Sequence, residues 1–395
     1  MFCWFCLETR KNPATGAGNV KQFGKGKTLL QLIDRNQFDR LCDKWQMDKG
    51  TRNFSTWEQT CTHIMAYVMR LESLREVEAI LFVPRSTFSD ANAKRASGFF
   101  EELCTLVLRQ IQSVGGRKVK RAIKALDSTR CHVHGSLADY PLWRDKKAHE
   151  KTAHAKLHCV WNIEGEWIED FRITPGSKGD SPIASQFKIS SGSMYVFDRA
   201  YNDLNFWWRI IRNKAHFVSR LKECPTRRIQ KKILLHGCEN KVGVLWEGEN
   251  RPIPMTFSRC PDVPRDIKFR HIIYRDPESK KIFDFVTSDF EASAQEIADI
   301  YRKRWAVELL FRWLKGHLHV RRFAVKNRNA MKTQMAIAVM VQLLIQLYRI
   351  QNKFRGTLWE CLRTLRVNLA KHGLGVSGLQ DYDRWKPLPS NGVTI

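Results

Sequence analysis

Tyr301-Arg302-Lys303-Arg304-Trp305-Ala306-Val307-Glu308-Leu309-Leu310-Phe311-Arg312-Trp313-Leu314-Lys315 is the stretch on which the reading of this chain turns. At about 100° per residue, Tyr301, Arg304, Trp305, Glu308, Arg312 and Lys315 fall within a helical stripe of roughly 100°. Ile300, Val307, Leu310, Phe311, Leu314 and Leu318 form the adjacent apolar stripe. One face therefore packs on a core, and its neighbour presents a single carboxylate ringed by cations and aromatics. That combination suits a phosphate backbone brought up to a metal-binding acid.

Taken alone, the helix could equally be a surface helix laced by Arg304–Glu308 and Glu308–Arg312 pairs, each contributing only a few tenths of a kcal/mol. Two acids upstream change the balance. Asp127 follows the apolar run Ile123 to Leu126, and Asp198 follows Tyr195 to Phe197. Each reads as the end of a strand, where open α/β sheets place their ligands, although a lone strand-end Asp is also an ordinary turn or cap former. Hard divalent ions want oxygen ligands, and a two-metal site holds its ions roughly 4 Å apart around a scissile phosphate. Two strand-end aspartates and a helical glutamate can supply that ligand set.

Composition agrees with a polyanionic partner. The chain has 395 residues, with 67 Lys and Arg against 40 Asp and Glu, for a formal net charge of +27. Such an excess favours nucleic acid or an anionic membrane surface. Among its 13 Trp, some suit stacking on bases, while most are expected in the core. The most apolar run, Met335 to Tyr348, is interrupted by Gln342 and Gln346 and is too short for a membrane span. It reads as a buried helix, so no membrane partner is expected. The 11 scattered Cys show no framework of close spacings, and no secretory leader opens the chain, so a reducing cytoplasmic home is expected.

The expected fold is α/β, α+β overall: an RNase H-like core interrupted by a β-rich insertion, with helices on either side. Residues 1–26 read as a flexible basic tail and 27–115 as a helical DNA-binding domain. Ser55 with Glu58 and Ser73 with Glu76 are S-x-x-E capping boxes that open helices. Trp57, Cys61, Ile64, Met65, Val68 and Leu71 form a buried stripe after the first. The turn Val83-Pro84-Arg85 between two short helices has the outline of a helix-turn-helix reader. Strands are expected over Val119 to Leu126, His154 to Ile163, Asp170 to Thr174, Met194 to Phe197 and His216 to Leu221, making 116–226 the first part of the core. Residues 227–289 are the β-rich insertion. Residues 290–352 supply one helix over Ala292 to Leu318 and another over Asn327 to Gln351, and 353–395 a last helix and tail.

Other motifs fail. Gly24-Lys25-Gly26-Lys27-Thr28 lacks the first glycine of a P-loop, since position 21 is Lys. His149-Glu150 with His154 is spaced one residue too long for a zinc-protease helix. Cys3 and Cys6 have no second pair, and Cys131, His132, His134, His158 and Cys159 would need the fold to gather them before they could hold zinc.

Tyr301, Arg304, Glu308 and Lys315 match in type and spacing the Y-x2-R-x3-E-x6-K signature, and the chain here resembles the DDE transposases of bacterial insertion sequences. Leu126-Asp127-Ser128-Thr129 and Phe197-Asp198-Arg199-Ala200-Tyr201 are similar to that family's forms around its two aspartates, and Lys156-Leu157-His158 to a recurrent piece between them. The separation of Asp198 from Glu308 is similar to that of members with a β-strand insertion, and the resemblance covers Lys27 to Lys371. It implies two magnesium ions, replaceable by manganese, on Asp127, Asp198 and Glu308, with Tyr301, Arg304 and Lys315 holding phosphates of the DNA end. Trp305 and Arg312 sit where relatives keep an aromatic and a basic residue.

The resemblance further implies recognition of terminal inverted repeats by the N-terminal part, a homodimer pairing two double-stranded ends, and joining of a freed 3′-hydroxyl to target DNA. In the two-metal scheme one ion activates the nucleophile and the other stabilises the leaving oxygen, exchanging roles between cutting and joining. Second-strand cleavage through a DNA hairpin belongs to the same set of expectations. An RNase H-like nuclease without strand transfer and an inactive DNA-binding relative are the alternatives. A basic RNA-binding protein would need stacking modules that this sequence lacks.

Overall fold

Strand pairing sets the architecture. In a computed structural model of the chain, described over residues 29–115, 121–134, 136–137, 153–221, 244–250, 260–276, 279–318, 322–323 and 326–372, one nine-stranded sheet forms the centre. Its strands are β1 (Ile123–Val133), β2 (Ala153–Asn162), β3 (Trp167–Pro175), β4 (Met194–Phe197), β5 (His216–Arg220), β6 (Val244–Asn250), β7 (Phe269–Arg275), β8 (Ile282–Thr287) and β9 (Arg322–Phe323). The order is β3-β2-β1-β4-β5-β8-β7-β6, with β9 on β1. β1, β2 and β3 pair antiparallel, and β4 and β5 join parallel. That is the arrangement expected of an RNase H-like core. The expectations for residues 1–26, Gly24 to Thr28, Cys3, Cys6, His149, Glu150 and the C-terminal tail lie outside the described residues.

The described residues within 227–289 are β-rich, as expected, and their strands join the central sheet. β8 pairs antiparallel with β5, and β7 and β6 follow outward, so these strands widen the same sheet. A buried pair, Arg270 with Glu247, ties β7 to β6, while Arg270 also donates to the carbonyls of Asp289 and Ala292. A buried guanidinium needs this full set of acceptors.

The front helices are α1 (Arg35–Trp45), α2 (Thr56–Met69), α3 (Leu74–Leu81), α4 (Arg85–Lys94) and α5 (Ser97–Val114). The Ser55–Glu58 box closes reciprocally; at the second box Ser73 caps the amide of Glu76, while the Glu76 carboxylate turns to the amide of Glu72. Of the expected α2 stripe, Cys61, Ile64, Met65 and Val68 are buried and Trp57 and Leu71 only partly so, while Thr56, Gln59, Thr60, Thr62 and His63 are buried as well. Thr60 and Thr62 donate to carbonyls one turn back, Thr56 to Asp48, and Gln59 to Asn92 Oδ1, which also lies against His63; Arg95, at the end of α4, is buried beside them. It is 9% exposed and donates to Gln59 Oε1, Asp48 Oδ1 and the carbonyls of Phe54 and Ser55. A basic residue that looks like a surface cation in sequence is thus spent inside.

Downstream come α6 (Ser181–Ala184), α7 (Leu204–Arg212), α8 (Ala294–Arg302), α9 (Trp305–His317), α10 (Arg328–Gln351) and α11 (Leu358–His372). α10 is long and apolar enough by length and composition to cross a membrane, yet its most apolar window is 89% buried inside the protein. The polar interruptions explain its place: Gln342 donates to the carbonyl of Glu166 and accepts from the amide of Ile168, and Gln346 donates to the carbonyl of Gly165. Both glutamines dock the β2–β3 turn. At the other end Asn329 donates to the carbonyls of Asn92 and Arg95 and accepts from the amide of Ser97. One apolar core consequently joins the front helices, α10 and one face of the sheet.

His63 is 2% exposed, with Nε2 2.6 Å from Asn92 Oδ1. Burial pushes its pKa from 6.5 down to about 4, against the hydrogen bond, which raises it. The unfolded chain then binds the proton more readily, so this contribution to stability is complete above pH 6.5 and is lost as pH falls through 4. Denaturant unfolding should show parent stability dropping between pH 7 and 4.5. His63→Gln should remove on the order of 3 kcal/mol of that drop at most, leaving the part due to His158, whose pKa burial also lowers to about 4. An unchanged pH profile in the variant would exclude a buried neutral His63.

Candidate active site

Asp127 lies inside β1 rather than at its end, which corrects the expectation from the sequence. The reason is register. β1 runs along β2 to Val133, but its parallel pairing with β4 stops at Leu126 opposite Phe197. Asp127 is therefore the first β1 residue beyond that ladder, and Asp198 the first residue beyond β4. The two carboxylates stand on neighbouring strands where the parallel pair opens. Asp198 also caps the 3-10 turn Arg199–Tyr201, its Oδ1 accepting from the amide of Ala200 at 2.7 Å.

The expected single helix over Ala292 to Leu318 is two. Ser293 and Glu296 form a reciprocal capping box that starts α8. At Lys303 and Arg304 the hydrogen bonding tightens to i→i+3, with Arg304 N on Tyr301 O, Ala306 N on Lys303 O and Val307 N on Arg304 O. The signature residues are split by this break. Tyr301, at the end of α8, is buried and packs on Phe285 at 4.9 Å between centroids, and burial raises its phenol pKa. Glu308, Arg312 and Lys315 lie on α9, with Trp305 at its start and 49% exposed.

Arg304 joins the parts. Its Nη2 is 2.6 Å from Glu308 Oε1, its Nη1 3.6 Å from Asp127 Oδ2, and its guanidinium lies over the Tyr301 ring at 5.7 Å. It is 16% exposed, against 21% for Asp127 and 31% for Glu308. Arg312 is exposed and Lys315 half-buried, and neither has an ion pair among the described residues. Lys315 is close enough to Cys131 of β1 for its charge to act there.

Asp198 and Glu308 both lie near enough to Asp127 for their charges to act on it. Burial, the largest effect, pushes Asp127 from 3.8 up to about 6. The Ser128 amide, 2.7 Å from Asp127 Oδ1, and Arg304 pull it down, while Asp198 and Glu308 push it up. Like charges held together out of water produce this pattern. Among the described residues, no three His, Cys, Asp or Glu side chains stand close enough as placed to hold one ion. The chemistry of the set nevertheless fits a hard divalent cation. All three donors are carboxylates, and their mutual repulsion is offset by Arg304 between Asp127 and Glu308.

Sequence reasoning missed Asp180, Ser128 and Tyr201, which lie behind Asp127. Ser128 and Lys156 both donate to Asp180 Oδ1, at 2.7 and 3.1 Å. Lys156-Leu157-His158 was the available signal, since a lysine and a histidine on a strand buried along nine of its ten positions require a nearby acceptor.

Comparison with known proteins gives a consistent picture. Residues 119–344 match the family described as "Transposase DDE domain", and residues 27–88 match a "Domain of unknown function (DUF4372)". The chain is 27% identical over 334 residues to a protein of Geobacillus stearothermophilus named as a transposase for insertion sequence element IS5377, covering 82% of this chain and 85% of that one. It is 27% identical over 260 residues to a protein of Sinorhizobium fredii named transposase y4zB, covering 66% and 70%. Among solved structures it is similar to the piggyBac transposase in a synaptic complex with hairpin DNA, at a TM-score of 0.52 and 11% identity over 93% of this chain and 86% of that one. At that identity the likeness speaks for the fold.

Asp127→Asn should stabilise the protein. With a folded pKa of about 6 against 3.8, ionised Asp127 opposes folding above pH 6, and the penalty vanishes as pH falls through 3.8. Thermal melts without divalent ions should show a gain of about 1–3 kcal/mol at pH 7.5, shrinking toward pH 4. A variant less stable than the parent at pH 7.5 would mean that Asp127 is held by favourable pairing.

Proposed function

The chain belongs to the DDE-domain transposases of bacterial insertion sequences, and on that premise we propose that Asp127, Asp198 and Glu308 are its catalytic acids, cutting DNA at the element ends and joining them to a target. The observation that carries this reading is Arg304 bridging Asp127 and Glu308 where the β1–β4 ladder opens, with Asp198 on the neighbouring strand at the same opening.

The three acids would hold two magnesium ions, or manganese in their place, which supply Lewis acidity toward the scissile phosphate and lower the pKa of the attacking hydroxyl. The residues of the chain do the rest. Burial of Asp127 keeps water from dispersing the charge of the site. Arg304 is the mobile element of the scheme, since a phosphate arriving at the site competes with Glu308 and Asp127 for the guanidinium, and the buried Tyr301 ring holds the arginine in reach. Arg312 and Lys315 on α9 meet backbone phosphates, and Trp305 offers an exposed ring beside them for stacking.

The front helices α1 to α5 would read the terminal inverted repeats, with α3 and α4 as the helix-turn-helix pair. Two copies would pair two double-stranded ends, the second strand would be released through a hairpin, and the chain would work in the cytoplasm on the nucleoid.

A DNA fragment bearing the element's own end, incubated with magnesium, tests this. The parent should cut at the boundary and insert the cut end into a second DNA. Glu308→Ala should bind that fragment as the parent does while cutting at least a thousandfold more slowly, an order set by several kcal/mol of lost transition-state stabilisation. Equal cutting by both would place the active site elsewhere, and cutting without insertion would make the chain a nuclease. Lys315→Ala should weaken binding on all sequences and lower the salt slope by about one unit; loss confined to one sequence would contradict a phosphate contact.

A further inference from the structure

Successive residues of a strand project to opposite faces, so Ser128 points away from Asp127, to the side of the sheet where α6 and the turn Arg199–Tyr201 pack. Asp180 is waiting there. It precedes α6, yet its carboxylate caps none of that helix's amides. Oδ1 instead accepts from Ser128 Oγ at 2.7 Å and from Lys156 Nζ at 3.1 Å, with His158 Nδ1 at 3.5 Å. Lys156 is 9% exposed and also donates to the carbonyl of Lys178 at 2.8 Å. His158 is fully buried and has its Nε2 2.8 Å from Thr174 Oγ1. A buried ammonium and a partly buried acid held this way form one unit, because removing the acid leaves the ammonium uncompensated.

Ser128 connects that unit to the acids. Its hydroxyl is held by Asp180, while its amide donates to Asp127 Oδ1 at 2.7 Å. The Tyr201 hydroxyl completes the pocket: it is buried beside Ser128, within electrostatic reach of Asp127, Asp180 and Asp198. Tyr201 ends the 3-10 turn that Asp198 begins. The backbones carrying Asp127 and Asp198 thus border one polar pocket behind the sheet.

We infer that Asp180, fixed by Lys156, is a positioning residue for Asp127, acting through Ser128 from the opposite face of β1. The inference rests on the proposed catalytic role of Asp127. Asp180 touches neither DNA nor metal in this scheme; it sets the direction from which the Asp127 carboxylate meets them. Losing such a support weakens metal affinity and rate by about 10–100-fold in sites of this kind.

The test uses the full chain and Mn2+ alone, followed by electron paramagnetic resonance, beside cleavage and binding of the element-end fragment and thermal melts. Asp180→Asn and Ser128→Ala should each weaken Mn2+ binding and slow cleavage by about 10–100-fold while binding the fragment as the parent does. Pairing Asp180→Asn with Lys156→Met removes both charges of the pair, so it should recover the parent's melting temperature but not its Mn2+ affinity or rate. A double variant that melts, binds Mn2+ and cuts like the parent would overturn the positioning role. Recovery of Mn2+ affinity and rate in step with stability would reduce Asp180 to a structural pair. If instead Glu308→Ala and the parent bind Mn2+ and cut alike, the reading of the site itself fails and this inference goes with it.

Discussion

Two aspartates on neighbouring parallel strands, with a glutamate brought over them by a helix, must be held together against their own repulsion. This constraint organises the molecule. The β1–β4 ladder stops one residue short of both aspartates, so neither has a neighbour across the ladder to turn it away. Water could relieve the repulsion but is largely kept out, which is why Asp127 holds its proton up to about 6. Arg304 supplies the compensating charge from the break between α8 and α9, and it stands where it does because Tyr301 beneath it is locked against Phe285.

The front helices α2, α4 and α5 and strand β3 pack on one central helix, α10. The helix is buried on every side from Met335 to Leu347, so no solvent-facing stripe allows it to slide or roll. Gln342 and Gln346 fix its position along the β2–β3 turn, while Asn329 fixes it against the end of α4. Its apolar length resembles that of a membrane helix only because a central core helix and a membrane helix solve the same problem of having no polar face.

The site was partly legible in the sequence. Glu308, Arg304 and Tyr301 announced themselves by spacing, and the two aspartates by the apolar runs before them. Spacing could not show that Tyr301 and Glu308 belong to different helices, because the break at Lys303 and Arg304 changes the hydrogen-bond pattern without a Pro or Gly to mark it. Nor could it show that Asp127 lies within a strand, since the end of a ladder is a property of the partner strand. Asp180 was hidden in a Gly/Ser/Pro-rich loop with nothing local to separate it from a turn residue; only its contact with Ser128 and Lys156, from two other strands, gives it a role.

The sequence by itself determined what depends on neighbours along the chain: most helical and extended segments, the caps at Ser55 and Ser73, the α/β class and the strong positive charge. The tertiary structure alone decided which charges are spent inside and which remain for a ligand. Arg95, Lys156 and Arg270 are cations buried in hydrogen-bonded pairs, whereas Arg312 stays exposed. The physical reason is that burying a charge depends on acceptors that distant segments bring to it, and no local pattern records where those acceptors come from.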